Sequence, residues 1–309
     1  MTPPARFGLF LSQAGRSWDD VLGRFLMAEE LGFDHAWLVD HLTPTNDHPE
    51  GPIHEAWTLL AAIAARTERI RLGVLVTSNT FRHPAVLAKE AVTVDHVSAG
   101  RLILGLGAGW HEGEHRRYGI DLPAPRERVD RLEEAVEMLI ALMGAERTTY
   151  SGLHYRLDDA PLEPKPIQTP RIPLLIAAHR PRMIRLAARY ADLWDTFPEL
   201  AGTATDGVTT DLAERVAAFE AAAQEAGRDP AAIRRTTWAE ADVAADEDRF
   251  VDFVRRHRAI GFTDFSVVPP ERADLPILRR IARERIPALR AEFAADAGPP
   301  RERPDVAGS

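Results

Sequence analysis

The segment Gly109-Trp110-His111-Glu112-Gly113-Glu114-His115 contains a literal H-E-x-x-H. On a helix this spacing sets both imidazoles on one face, where they can hold a zinc ion while the glutamate activates its bound water. That arrangement needs several stable helical turns. Here Gly113 lies inside the motif, Gly109 precedes it and Gly119 follows closely, and glycine costs about 1 kcal/mol at a helix-interior position. No apolar periodicity supports a longer helix, and a third ligand is not evident. The expectation is therefore no metal, and a short solvated helix with His111 or Glu112 turned toward a substrate.

Other stretches carry chemistry of different kinds. Asp40-His41 joins a carboxylate to an imidazole that can exchange a proton near neutral pH, or it is simply a polar pair ending a strand. Gly105-Leu106-Gly107-Ala108-Gly109-Trp110 has glycines where a second backbone or a flat ligand could come close, although a tight turn would need them too. It is not a dinucleotide fingerprint, because the spacing is wrong and no helix opens on it. Ala177-Ala178-His179-Arg180 leads into a helical pattern whose first amides, with Arg180 and Arg182, could hold a phosphate; solvated arginines on an ordinary helix read the same way. Trp37, Trp57, Trp110 and Trp194 are candidates for a hydrophobic pocket wall or for plain packing.

The elements that must position these residues alternate regularly. Apolar or β-branched runs at 6–12, 35–40, 70–76, 101–107, 174–178, 192–197, 234–245 and 264–269 predict eight strands. Amphipathic stretches between them predict helices, among them one capped by Ser17 and ended by Gly32, and one opened by Pro84 and closed by Gly100. The pattern loosens between 110 and 172, where a helix at 126–143, a hairpin around Ser151-Gly152 and a Pro-rich loop are expected. Eight strand–helix pairs in about 290 residues predict a closed (β/α)₈ barrel, an α/β TIM barrel, with a doubly wound open sheet as the competitor. One domain over 1–294 and a mobile tail over 295–309 are expected. Because this fold places its active site at the C-terminal ends of the strands, the residues to examine are Ser12-Gln13, Asp40-His41, Leu75 to Thr80, Gly105 to Trp110, Ala177 to Arg182, Trp194 to Phe197 and the loop near Pro269.

Bulk composition narrows the function classes. The 309 residues carry a net charge of −9 with both signs interspersed, which argues against a nucleic-acid surface. There are no cysteines, so thiolate metal sites, disulfides and a cysteine nucleophile are excluded. The start of the chain does not look like a signal peptide, and no apolar run approaches the length of a membrane span, so a cytoplasmic location is expected.

The stretches "AEELGFDHAWLVDH", "RIRLGVLVTSNTFRHPAVLAKEAVTVDHVSAGRLILGLGAGW" and "IRLAARYADLWD" resemble the luciferase-like monooxygenase superfamily, and more closely its branch that uses the deazaflavin coenzyme F420. The resemblance covers about residues 6–290. It implies a (β/α)₈ barrel with an insertion after the fourth strand and a flavin or deazaflavin in the mouth. It implies a non-proline cis peptide at Leu75-Val76, with Leu75, Val76 and Thr77 beneath the ring. Asp40 aligns with a ring-contacting residue and His41 with the acid/base histidine. Gly107, Ala108 and Gly109 align with the approach of the cofactor tail, and Ala178, His179 and Arg180 with the phosphate segment. Gln13, Trp110, His111 and Trp194 are then substrate-pocket candidates.

Departures from the family pattern sharpen the expectation. The usual Gly-Gly-x-Gly turn is here Ala177-Ala178-His179-Arg180, which puts the phosphate site in question. Trp110 stands where the family's glucose-6-phosphate dehydrogenases have a catalytic glutamate, which argues against sugar-phosphate oxidation. Ala108 stands where FMN-dependent relatives have an arginine, which favours the deazaflavin. The expected function is hydride transfer to or from a small organic substrate with coenzyme F420. The alternatives are an FMN-dependent two-component monooxygenase served by a reductase partner, and a non-catalytic flavin-binding protein. A homodimer is also expected from the resemblance.

Overall fold

The computed structural model describes residues 3–45, 49–197 and 211–296. In chain order it contains β1 (Arg6–Phe10), α1 (Trp18–Glu30), β2 (His35–Leu38), α2 (Ala56–Ala64), β3 (Arg71–Val74), β4 (Thr77–Ser78), α3 (Pro84–Val97) and β5 (Leu102–Gly107). Next come α4 (Glu112–Tyr118), α5 (Pro125–Gly144) and the antiparallel pair β6 (Arg147–Ser151) and β7 (Arg156–Pro161). The regular alternation resumes with β8 (Leu174–Ala177), α6 (Pro181–Tyr190), β9 (Leu193–Asp195), α7 (Leu212–Glu225), β10 (Arg234–Ala239), α8 (Ala241–Ala244), α9 (Glu247–Ala259) and β11 (Asp264–Val267). The chain closes with α10 (Leu275–Arg280), a π-helical segment at Ile281–Arg285 and α11 (Ile286–Asp296).

Strands follow one another around the sheet in the order β3-β2-β1-β11-β10-β9-β8-β5, and β3 also pairs with β5. The eight parallel strands therefore close into a barrel. The doubly wound alternative is excluded by that closure. Strand β4 continues β3 after a break and pairs with β5.

The strands are apolar on both faces because each packs against helices outside and other strands inside. Side-chain alternation sorts them. Trp37, Leu75, Ile103, Leu175 and Leu193 form the inner cluster, while Phe7, Leu9, Leu38, Leu104, Ile176 and Trp194 belong to the core between sheet and helices. Helix starts follow local chemistry. Ser17 accepts from Asp20 N at the head of α1, Glu55 accepts from Trp57 N and Thr58 N at the head of α2, and Pro84 occupies the first turn of α3.

Several strands end a residue or more before the sequence expectation, and at two places the element type itself differs. The seventh strand stops at Ala239, and Ala241–Ala244 turn into α8, because the alanine-rich end of that run packs as a helix. Residues 295 and 296 belong to α11 rather than to a tail, and 297–309 lie outside the described residues.

Candidate active site

His41 follows β2 at the C-terminal mouth of the barrel. Its Nδ1 lies 2.9 Å from Glu114 Oε1, on α4. Glu114 is buried and also accepts from the backbone N–H of Leu42 at 2.8 Å. Burial alone would raise its carboxyl, but the hydrogen bonds from His41 and Leu42 outweigh that and hold it below the ordinary glutamate range. An ionised Glu114 can only accept, so Nδ1 of His41 carries the proton and Nε2 is left as the exchangeable nitrogen. Nε2 has no hydrogen-bond partner among the described residues.

The two histidines of the H-E-x-x-H pattern do not fall in one metal-type cluster among the described residues. His115 bonds Thr80 Oγ1 through Nε2 at 2.7 Å and the His111 carbonyl through Nδ1 at 2.8 Å, so both its nitrogens are committed inside the protein. Helix α4 is also less solvated than expected, since Glu114 and His115 are buried beneath it. The side chains that do converge are His41, His111 and Glu114, whose ligand-type atoms lie within 4.8 Å of one another. Burial lowers the His111 imidazole, with Glu114 pulling the other way. Trp110, 63% exposed, stands edge-on to His41 with ring centroids 5.7 Å apart and adjoins His111 at 5.0 Å. Three predicted residues, His41, Trp110 and His111, are thus brought together, and Glu114 is the residue that sequence reading passed over. Its signal was present, because Glu114 lies three residues after His111, on the same helix face.

Asp40 is held on both carboxylate oxygens. Arg82 grips both of its oxygens, at 2.6 and 3.0 Å, and the Ser78 N–H adds a third bond at 2.9 Å. Arg82 also faces Glu55 at 3.5 Å and Glu90 at 3.6 Å. Asp40 therefore ties β2 to β4 and the loop after it.

The Leu75–Val76 peptide is cis, at the position counted back from His83-Pro84. Val76 is turned into the barrel and stays partly exposed, while Leu75 and Thr77 are buried. The glycines of β5 make room for this break. A Cβ on Gly105 would lie 2.1 Å from the Val74 carbonyl, and one on Gly107 would lie 2.5 Å from Val76 Cγ2. Gly109 has φ +82°, and its Cβ would meet Thr80 Oγ1 at 2.7 Å. The space at these three glycines is taken by the chain's own β3–β4 segment, and Ala108 packs against the core.

Phe10, Val76, Ala177 and Trp238 are the partly exposed inward side chains at the mouth. Phe10 and Trp238 stack at 5.0 Å with a 9° interplanar angle, and Phe197 packs on Trp238 at 4.8 Å. They form a flat apolar floor. Two predicted pocket residues are absent from it. Gln13 is buried with both ends occupied, donating to the Val39 and His54 carbonyls and accepting from Val39 N. Trp194 faces outward, stacked on Phe219 of α7 at 4.2 Å, with its Nε1 donating to the Ala178 carbonyl. Strand alternation turns its neighbour Asp195 inward in its place.

In the 177–182 segment, the Ala178 N–H is spent on the Asp195 carbonyl and Pro181 has none to offer. His179 bonds Thr196 Oγ1 at 3.0 Å, and burial and Arg215 lower its imidazole to about 4, so it is uncharged at neutral pH. Arg182 pairs with Asp130 and Glu133 of α5. Arg180 is exposed and precedes the first turn of α6, whose unpaired amides remain.

The luciferase-like monooxygenase family matches residues 3–274, and the chain belongs to it. It is 31% identical to an F420-dependent glucose-6-phosphate dehydrogenase of Microbacterium testaceum, over 95% of this chain and all of that protein. It is 34% identical to an F420-dependent hydroxymycolic acid dehydrogenase of Mycobacterium tuberculosis, over 73% of this chain and 59% of that protein. Among solved structures, an F420-dependent secondary alcohol dehydrogenase in complex with an F420-acetone adduct superposes with a TM-score of 0.78 at 22% identity, covering 91% of this chain and 98% of the other. The coenzyme F420 dependent tetrahydromethanopterin reductase of Methanopyrus kandleri gives 0.76 at 20% identity, over 93% and 99%. These two likenesses concern the fold. Among the described residues no helix is long and apolar enough to cross a membrane.

Proposed function

We propose that this protein is an oxidoreductase that uses coenzyme F420 for hydride transfer to or from a small organic substrate. The observation that carries the proposal is His41, held by an ionised Glu114 and flanked by Trp110 and His111, at the end of β2 in a barrel whose mouth also carries the apolar Phe10 and Trp238. The relatives named for F420 dependence support the cofactor, as does Ala108 in place of the arginine of FMN-dependent relatives. The residues fit a planar ring: Phe10, Val76, Ala177 and Trp238 offer apolar surface, and Arg180 with the first amides of α6 offers a place for a phosphate. When bound, the deazaflavin supplies a two-electron hydride at a ring carbon.

The protein's own part is acid–base and steric. His41 gives or takes the substrate proton through Nε2, while Glu114, accepting from Nδ1, fixes the tautomer. Trp110 and His111 wall the substrate side, and the apolar floor excludes water. Trp110 in place of a glutamate argues for an alcohol or carbonyl compound over a sugar phosphate. A separate reductase that delivers reduced cofactor and a homodimer remain part of this reading.

Equilibrium binding of F420 and FMN, followed by fluorescence, tests the assignment. F420 binding at micromolar or tighter dissociation constant, with FMN at least about tenfold weaker (~1.4 kcal/mol), supports it. Tighter FMN binding turns the reading into a two-component monooxygenase, and binding of neither withdraws it.

A further inference from the structure

Asp195 ends β9 on the inner face of the barrel, 1% exposed. It pairs in register with Ala177 on one side and Thr236 on the other, and Ala177 lies next to the Val76 and Gly107 region of the floor. Asp195 Oδ1 and Thr236 Oγ1 are both buried and neither makes a well-formed hydrogen bond among the described residues, the Thr236 hydroxyl being close enough only to bias the carboxyl. A buried polar atom without a partner carries a cost that a ligand can remove. Among the described residues no cation pairs with the carboxyl. Strand β8 is uncharged. Arg234 and Arg235 of β10 pair with Asp264 and Glu220, while His179 and Arg215 engage Thr196. Burial pushes the Asp195 carboxyl up to about 8, against a smaller opposing pull from Thr236, so at neutral pH it keeps its proton and is a hydrogen-bond donor.

We infer that Asp195, with Thr236 beside it, is a binding residue that donates a hydrogen bond to an uncharged oxygen on the edge of the planar ligand lying over Val76 and Ala177. The inference rests on the reading that this mouth holds a deazaflavin or flavin ring. Such a ring offers oxygens on two edges: both F420 and FMN carry carbonyls at the pyrimidine edge, and F420 alone carries a hydroxyl at the opposite one.

The test is equilibrium binding of F420 and of FMN to the wild type, Asp195→Asn and Asp195→Leu, at pH 6.5 and at pH 9.5. Each variant is first checked for a native circular-dichroism spectrum and a cooperative melt. At pH 6.5 the expected result is binding within threefold of wild type for the asparagine variant, whose amide still donates, and at least tenfold weaker binding for the leucine variant. Wild-type binding should weaken at pH 9.5, where the carboxyl loses its proton, and the asparagine variant should not follow. A leucine loss confined to F420 identifies the hydroxyl edge, and an equal loss for both ligands the carbonyl edge. A leucine variant that binds both as tightly as wild type overturns the inference alone. Wild type binding neither at pH 6.5 overturns it together with the cofactor reading.

Discussion

The carboxylate of Glu114 and the imidazole of His41 meet across 2.9 Å although they are 73 residues apart, joining α4 to the end of β2. If His41 is the proton carrier, His41→Ala removes general acid–base catalysis, worth about 10²–10⁴ in turnover. Steady-state rates should fall in that range while the F420 dissociation constant stays within a few-fold. Glu114→Gln should lower kcat with little change in melting temperature, because the amide can still fill the space.

The Asp40–Arg82 pair is expected to be structural. Both side chains are largely buried, at 2% and 12% exposure, and breaking such a pair from one side costs about 3–5 kcal/mol. Arg82→Ala should therefore lower the urea midpoint markedly, and Arg82→Lys should recover only part, since lysine cannot reproduce the two parallel bonds. An unchanged midpoint for Arg82→Ala would remove the positioning role.

Asp195 also makes stability depend on pH in a direction opposite to most carboxylates. Its folded value is raised to about 8 from 3.8. Between those values the native chain keeps a proton that the unfolded chain releases, so stability falls as pH rises through this window. Asp195→Asn removes the penalty. It should be more stable than wild type at pH 7 by on the order of a few kcal/mol, with the gain vanishing as pH approaches 4. Urea melts across that range decide it.

The two tryptophans should behave as opposites. Trp194→Ala empties a fully buried position against Phe219 and should cost about 3–5 kcal/mol. Trp110→Ala should leave the melt nearly unchanged and alter substrate KM. Calorimetry paired with kinetics separates the two.

These opposite roles show what could be read from the sequence. The barrel was legible because its signals are local: eight apolar runs, Ser17, Pro84, and glycines after helices each announce themselves within a few residues. His41, Trp110 and His111 were also found, since strand ends locate the mouth. What failed was orientation. Trp194 and Asp195 differ by one position, and which of them faces inward depends on register with β8 and β10. Gln13 looked available because its partners, Val39 and His54, are distant in sequence. Glu114 was hidden by a motif that drew the eye to its histidines. Phe10 and Trp238 stack only once the barrel closes, as β1 and β10 both flank β11.

The Arg82 cluster has one more consequence, for behaviour in salt. Arg255–Glu292 and Arg280–Glu247 sit at the surface, where at 1 M salt the screening length shrinks to about 3 Å. The Arg82–Asp40 pair is largely buried and is screened much less. Concentrated salt should thus weaken the exposed pairs while leaving the Arg82–Asp40 contact, next to His41 in the chain, in place, so the loss of stability on Arg82→Ala in urea melts should be nearly the same at low and at 1 M salt.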